Sequence, residues 1–165
     1  MTGVQTCALP ICKNYEKNLN KIANAVEDTA YQYITYNGEV ADALFFSTSS
    51  GYTEDSEDIF INKVHYLQSV KSEWDEISPV FSDVYEFKKD DFCKMLQLNI
   101  SNNIKNEVME KTKAGRIKKI KINDKIFTGT KIVNLLGLRT SNFTIKVNDN
   151  VIITTRGYGH GVGMS

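Results

Sequence analysis

Four glycines alternate with Tyr158, His160, Val162 and Met164 in the last ten residues, Arg156-Gly157-Tyr158-Gly159-His160-Gly161-Val162-Gly163-Met164-Ser165. Glycine admits positive φ and lets a backbone come close to a ligand, but each one is costly to order. The segment therefore reads as a loop that mounts a tyrosine and one of the chain's two histidines. It lacks the Gly-Lys-Ser/Thr ending of a phosphate cradle and the spacing of a dinucleotide fingerprint. By spacing alone, plain turn structure is the competing reading.

The 165 residues suffice for one domain or slightly more. With 41% apolar and 24% charged residues the composition is that of a globular protein, and no apolar run approaches the roughly 18 residues of a membrane span. Twenty basic and twenty acidic side chains cancel, which argues against a nucleic-acid partner. Cys7, Cys12 and Cys93 form no framework. Residues 1–11 read as the in-frame translation of a sequencing adapter, which also supplies part of the codon of Cys12. The alternative is a short apolar tail or a signal-peptide remnant, but the basic start and apolar length of a signal peptide are absent, and the residues are excluded from fold reasoning as adapter-derived.

Apolar positions Leu19, Ile22, Ala23 and Val26 predict a helix over 17–29. Strands are predicted over 31–36 and 40–46 around the hairpin pair Asn37-Gly38, with Leu44-Phe45-Phe46 buried on both faces. Residues 47–58 carry four acids and many hydroxyls and read as a solvated loop, its exit pinned by Tyr66-Leu67-Gln68-Ser69-Val70 and Trp74. Residues 84–87 make a short strand, and Asp90 is placed as the cap of a helix carrying Phe92, Met95 and Leu96. Residues 99–113 are weakly patterned, a helix or an insertion. Beyond them come a strand over 116–122, a turn at Asn123-Asp124, a helix over 131–136 stopped by Gly137, and a hairpin of 143–147 with 151–155. The sum is an α+β fold of mainly antiparallel strands and hairpins with short helices. His65 reads as an imidazole without a role, Phe45, Phe46 and Trp74 as core, and Cys93 as a buried thiol.

Taken in order, several segments resemble the stage II sporulation protein D family, whose relatives include amidase enhancers of vegetative cell walls. The likeness runs from about residue 12 to 165. It is carried by Phe46-Ser47-Thr48-Ser49-Ser50-Gly51-Tyr52-Thr53-Glu54-Asp55-Ser56-Glu57-Asp58, by Tyr66-Leu67-Gln68-Ser69-Val70 leading to Trp74-Asp75, and by Gly115-Arg116-Ile117. Leu136-Gly137-Leu138-Arg139-Thr140-Ser141-Asn142-Phe143 and the closing glycine loop complete it. The resemblance implies that residues 12–165 are the carboxy-terminal part of a catalytic domain in a larger domain pair, continuing past Ser165.

The family's sporulation members are peptidoglycan lytic transglycosylases, which cleave between N-acetylmuramic acid and N-acetylglucosamine and leave a 1,6-anhydro sugar. One glutamic acid protonates the leaving oxygen, then takes the proton of the C6 hydroxyl that attacks C1. In the family that acid lies upstream of residue 12, so no catalytic residue is assigned in this chain. Glu54 is assigned to groove lining or loop structure in preference to acid catalysis. Ser49, Ser50, Gly51, Thr53 and Glu54 are expected on one wall of a glycan groove. Tyr158, Gly159, His160, Gly161 and Gly163 are expected on the other, the glycines giving the glycan access to backbone amides. Cys12-Lys13-Asn14-Tyr15 resembles a segment of clostridial members in which cysteines and a histidine hold zinc. Cys12 is the one candidate ligand here and falls short of the three or four that zinc needs, so no cofactor is expected in these residues. The resemblance leaves zinc to the full-length clostridial parent. The resemblance further implies an extracytoplasmic parent anchored at the sporulation septum, working on glycan strands beside a peptidoglycan amidase and a membrane scaffold protein. The alternative is a non-catalytic glycan-binding or amidase-enhancing module.

Overall fold

A computed structural model describes residues 15–165, which divide into two units, one ending at Ala41 and one spanning Asp42–Ser165. In the first, α1 (Tyr15–Asp28) confirms the helical periodicity, with Leu19, Ile22 and Val26 exposed. The strands β1 (Thr35–Tyr36) and β2 (Glu39–Val40) form a two-residue-wide hairpin. Asn37 and Gly38 at its tip have φ of 53° and 85°, the conformation that the Asn-Gly pair favours. Both strands are far shorter than the alternation implied.

The second unit holds the core. After β3 (Gly51–Tyr52), the short α2 (Ser56–Ile59), β4 (Lys71–Ser72) and a 3₁₀ turn (Trp74–Ile77), two three-stranded antiparallel sheets follow. One has β10 (Val151–Arg156) between β5 (Ser82–Phe87) and β9 (Phe143–Val147). In the other, β7 (Ile117–Ile122) lies between β6 (Asn106–Lys111) and β8 (Lys125–Thr128). Inward residues alternate along the central strands: Val151, Ile153 and Thr155 on β10, Ile120 and Ile122 on β7, all fully buried. The helices α3 (Lys89–Met95) and α4 (Gly129–Leu136) close this core with Phe92, Cys93, Ile132 and Leu136. Thr128 Oγ1 caps α4 by accepting from Lys131 N, and Gly137 ends it at φ 66°.

Several expectations are corrected. Residues 106–111 are neither helix nor insertion but an edge strand whose side chains stay outside, so pairing with β7 is invisible in their polarity. Asp90 lies in the first turn of α3, whose cap position is Lys88; its charge faces the positive end of the helix without capping it. Phe46 is core, but Phe45 is 74% exposed because an extended backbone turns alternate side chains to opposite faces and no second layer covers this one. Trp74 is 70% exposed on its 3₁₀ turn, so the loop is held there by Asp75 instead of by indole packing.

Candidate functional site

The hydroxyl-rich segment and the glycine loop, far apart in sequence, lie side by side. Thr48 N donates to Tyr158 O (3.1 Å) and Tyr158 N to Thr48 O (2.8 Å). Phe46 N donates to Met164 O and Met164 N to Leu44 O, both at 2.9 Å, and Glu54 N donates to Gly161 O at 2.8 Å. Gly157 N and Gly159 N are taken up by Phe81 O and Arg139 O. The ribbon is thus an ordered strap whose backbone groups are largely spent on the protein itself.

Its glycines are needed for that closeness. Gly163 sits at φ 88°, and a Cβ there would fall 2.1 Å from Leu44 O. At Gly161, φ 86°, a Cβ would come within 2.6 Å of Arg116 Nη2. The space expected to admit a glycan to the ribbon's amides is filled on this side by residues 44–54. Gly163→Ala is expected to cost about 2 kcal/mol in urea unfolding, since overpacking against fixed backbone is added to left-handed strain. A loss below about 0.5 kcal/mol would mean that the strap shifts freely.

The polar wall is buried, although its composition predicts solvation. Ser49, Thr53, Glu54 and Ser56 are each at most 3% exposed. Ser49 Oγ accepts from Gly51 N, and Ser49 N donates to Asp75 Oδ2, which Ser165 Oγ also meets. Thr53 Oγ1 donates to Gln68 O at 3.0 Å and accepts from Val70 N at 2.8 Å. Ser69 N donates to Asp55 Oδ1, so the 66–70 segment does pin the wall as expected. Of the candidate wall residues, Ser50 and Gly51 remain half-buried.

Beneath the strap lies a charged cluster. Arg116 Nε is 3.0 Å from Glu54 Oε1, out of line for a hydrogen bond, with the two side chains 6% and 1% exposed. Thr112 Oγ1 donates to Glu54 Oε1 at 3.1 Å and accepts from Arg116 N at 3.0 Å. Arg116 Nη2 donates to Gly159 O at 2.8 Å. The guanidinium therefore joins wall and ribbon through one planar group, as a lysine could not. Glu54 Oε2 has no hydrogen-bond partner among the described residues. Burial pushes the Glu54 carboxyl up from 4.5 to about 7, overriding the Thr112 hydrogen bond and the Arg116 charge, with Asp58 and Asp55 adding to the rise. Loss of solvation pulls Arg116 down, against the attraction of Glu54.

Above the strap, His160 is half-buried between Phe46 and Phe60, ring centres 5.9 and 5.6 Å away. Its Nδ1 accepts from Val162 N at 3.1 Å, which leaves Nε2 to carry the proton of the neutral ring. Tyr158 is 42% exposed with the Arg139 guanidinium 5.4 Å above its ring, and Arg139 is tied to Asp83. No group of three metal-ligating side chains occurs among the described residues, and Cys12 lies outside them. The described residues thus offer no zinc cradle.

Sequence alone assigns Arg116 no role and does not single out Thr112, Asp75 or Arg139 as site residues. A signal is present nonetheless. Only three of the twenty basic residues are arginines, and Arg116, Arg139 and Arg156 all lie on or against the ribbon.

Fold and site together define an α+β scaffold that presents a strapped loop surface bearing aromatic, imidazole and guanidinium groups. No family model matches the chain. Stage II sporulation protein D of Bacillus subtilis is 38% identical over 154 residues, and that of Bacillus amyloliquefaciens 39%; each alignment takes in 92% of this chain and 45% of the relative. An uncharacterised protein of Brachyspira hyodysenteriae is 28% identical over 158 residues, covering 92% of this chain and 43% of that protein. The chain spans less than half the length of these relatives. It belongs to the stage II sporulation protein D family.

Proposed function

We propose that the chain is the glycan-supporting part of a peptidoglycan lytic transglycosylase that serves spore formation. The names of the two Bacillus relatives support the sporulation role. The observation that carries the glycan reading is the strap itself: it holds Tyr158 open to solvent and His160 half-open on one rigid ribbon, beside the half-buried Ser50. An aromatic face beside hydroxyl and imidazole groups suits sugar rings, acetamido groups and hydroxyls, with the Arg139 guanidinium 5.4 Å over the Tyr158 ring as a further donor.

Glu54 has the raised pKa of a general acid but not the access. Roofed by Gly161 and Arg116, it cannot reach a leaving oxygen without removal of the strap. The acid is accordingly assigned to the family's glutamate upstream of residue 12. There it would protonate the glycosidic oxygen and, as carboxylate, receive the C6 hydroxyl proton while C6–O closes on C1. On this reading the whole protein works outside the cytoplasm, beside an amidase that strips stem peptides and a membrane scaffold protein. The burial of Glu54 also favours a second reading, a module that binds glycan or enhances an amidase without cutting.

The two are separated by incubating the full-length protein with stripped glycan strands and weighing the products. Termini lighter than reducing ends by one water are expected from transglycosylation. Products with reducing ends alone would overturn it, and binding without products would leave the module.

A further inference from the structure

Lysines on and beside the β6–β8 sheet fall into two kinds. Some are matched by acids: Lys113 Nζ lies 3.1 Å from Asp55 Oδ2, Lys118 Nζ 2.9 Å from Asp58 Oδ1, and Lys119 Nζ 3.2 Å from Glu110 Oε2. Lys105, Lys121, Lys125 and Lys131 make no ion pair among the described residues. These four border two hollows that share Lys125. One, of about 510 Å³, takes in Lys105, Lys121 and Lys125. The other, of about 230 Å³, adds Lys131 beside Leu96, Ile126 and Leu135. Asp124 is the one acid lining either hollow among the described residues, and Glu107 stands opposite Lys121 in the register of β6 and β7.

The rims are fixed. Lys105 N donates to Asn123 Oδ1 and Asn123 N to Lys105 O, both at 2.9 Å. Lys125 Nζ donates to Gln97 O, which ties β8 to the turn after α3 and uses one of the ammonium's three donors. Aliphatic side chains stand open among these charges. Ile126, next to Lys125, is 59% exposed, and Ile100, between the lining residues Asn99 and Ser101, is 60% exposed.

We infer that this end of the second unit docks on an anionic lipid surface, its lysines against headgroup phosphates and Ile100 and Ile126 in the acyl boundary. The contact is independent of the glycan reading above. Four unmatched ammonium groups against one carboxylate, on a chain with no net charge, make a local positive face. Such a face is drawn to anionic headgroups, and apolar side chains set among the lysines gain by entering the layer beneath. A hydrated phosphate polymer is the poorer fit, because it offers the isoleucines no apolar cover and no guanidinium fork is present to grip it. A protein partner is also disfavoured: lysine is depleted from such interfaces, and no exposed aromatic anchor lines either hollow.

The test is sedimentation of the whole chain with vesicles of phosphatidylcholine alone and of equal parts phosphatidylcholine and phosphatidylglycerol, at low and high salt. Binding to soluble poly(glycerol phosphate) is measured beside it. The chain is expected to bind the mixed vesicles and not the neutral ones, about tenfold more weakly at high salt. Lys105→Gln, Lys121→Gln, Lys125→Gln and Lys131→Gln should each cost about fivefold. Lys121 has no side-chain hydrogen bond or ion pair to lose, so its variant reads the charge alone. Ile100→Ser and Ile126→Ser should each cost about fivefold at either salt, since apolar burial is not screened. Lys119→Gln removes the same formal charge from a lysine already matched by Glu110 and should cost less than about twofold. Failure to bind the mixed vesicles, or equal binding to the neutral ones, overturns the inference. So does vesicle binding that survives the combined change of all four lysines, which would place the contact elsewhere, as on the exposed apolar residues of α1. Lysine-dependent binding of poly(glycerol phosphate) tighter than that of vesicles, and unmoved by the isoleucine changes, would make the hollows a polymer site instead.

Discussion

Arg116→Met is expected to destabilise the second unit by about 3–5 kcal/mol at pH 8, the range for removing one partner of a buried ion pair. The methionine keeps the bulk but takes away the countercharge of Glu54 and the donor to Gly159 O. A carboxylate 1% exposed, already lacking a partner for Oε2, must then either stay ionised without compensation or take up a proton. Protonation limits the damage. At pH 5 Glu54 is neutral with or without Arg116, so the loss there should be about 1 kcal/mol smaller, the value of the one pH unit by which pH 8 exceeds its wild-type pKa. Urea unfolding of both proteins at the two pH values reads this directly. The double variant Glu54→Gln, Arg116→Met should recover part of the loss, since neutral side chains leave no buried charge unmatched. A single-variant loss below about 1 kcal/mol at pH 8 would show that the guanidinium does not hold ribbon to wall.

The regular elements are legible in the sequence because their burial is written in neighbours. Phe143, Ile145, Val151 and Ile153 alternate around an Asn148-Asp149-Asn150 turn, and Gly137 marks a helix end that it does terminate in the left-handed region. Edge strand β6 escapes such reading because an exposed edge buries little and takes its order from the backbone bonds of β7. The site is half legible. Its two segments stand out by composition, and their union follows from the bonds between Thr48 and Tyr158 and between Glu54 and Gly161. The role of the parts is not readable. Ser49, Thr53 and Glu54 sit in a run of hydroxyls and acids that locally reads as solvated; what buries them is a strap arriving from the opposite end of the chain. Likewise each glycine announces a close approach without saying to what, and on one side of the ribbon the answer is Leu44, Thr48 and Arg116.

Wild-type protein should lose stability between about pH 4.5 and about pH 7, and Glu54→Gln should remove that slope. In the unfolded chain Glu54 releases its proton near 4.5, whereas in the folded protein it holds it to about 7. Between those values the folded state binds more protons than the unfolded one, so raising the pH favours unfolding. The contribution is fully present below 4.5 and gone above 7. Its ceiling is about 3 kcal/mol, since each pH unit separating the folded and unfolded titrations contributes about 1.4 kcal/mol. Asp55 and Glu110 run the other way: the Ser69 N–H bond and the Lys119 contact hold their carboxyls low, which stabilises the fold once they ionise. The informative quantity is therefore the difference between wild type and Glu54→Gln, in which those groups cancel. Glutamine keeps the acceptor for Thr112 and mimics the protonated acid, so the two proteins should be nearly equal at about pH 4.5 and the variant more stable at about pH 7.5. Parallel stability curves across that window would mean that Glu54 ionises in the fold as it does in the unfolded chain, and that the clasp beneath the ribbon is an ordinary ion pair already charged at about pH 5.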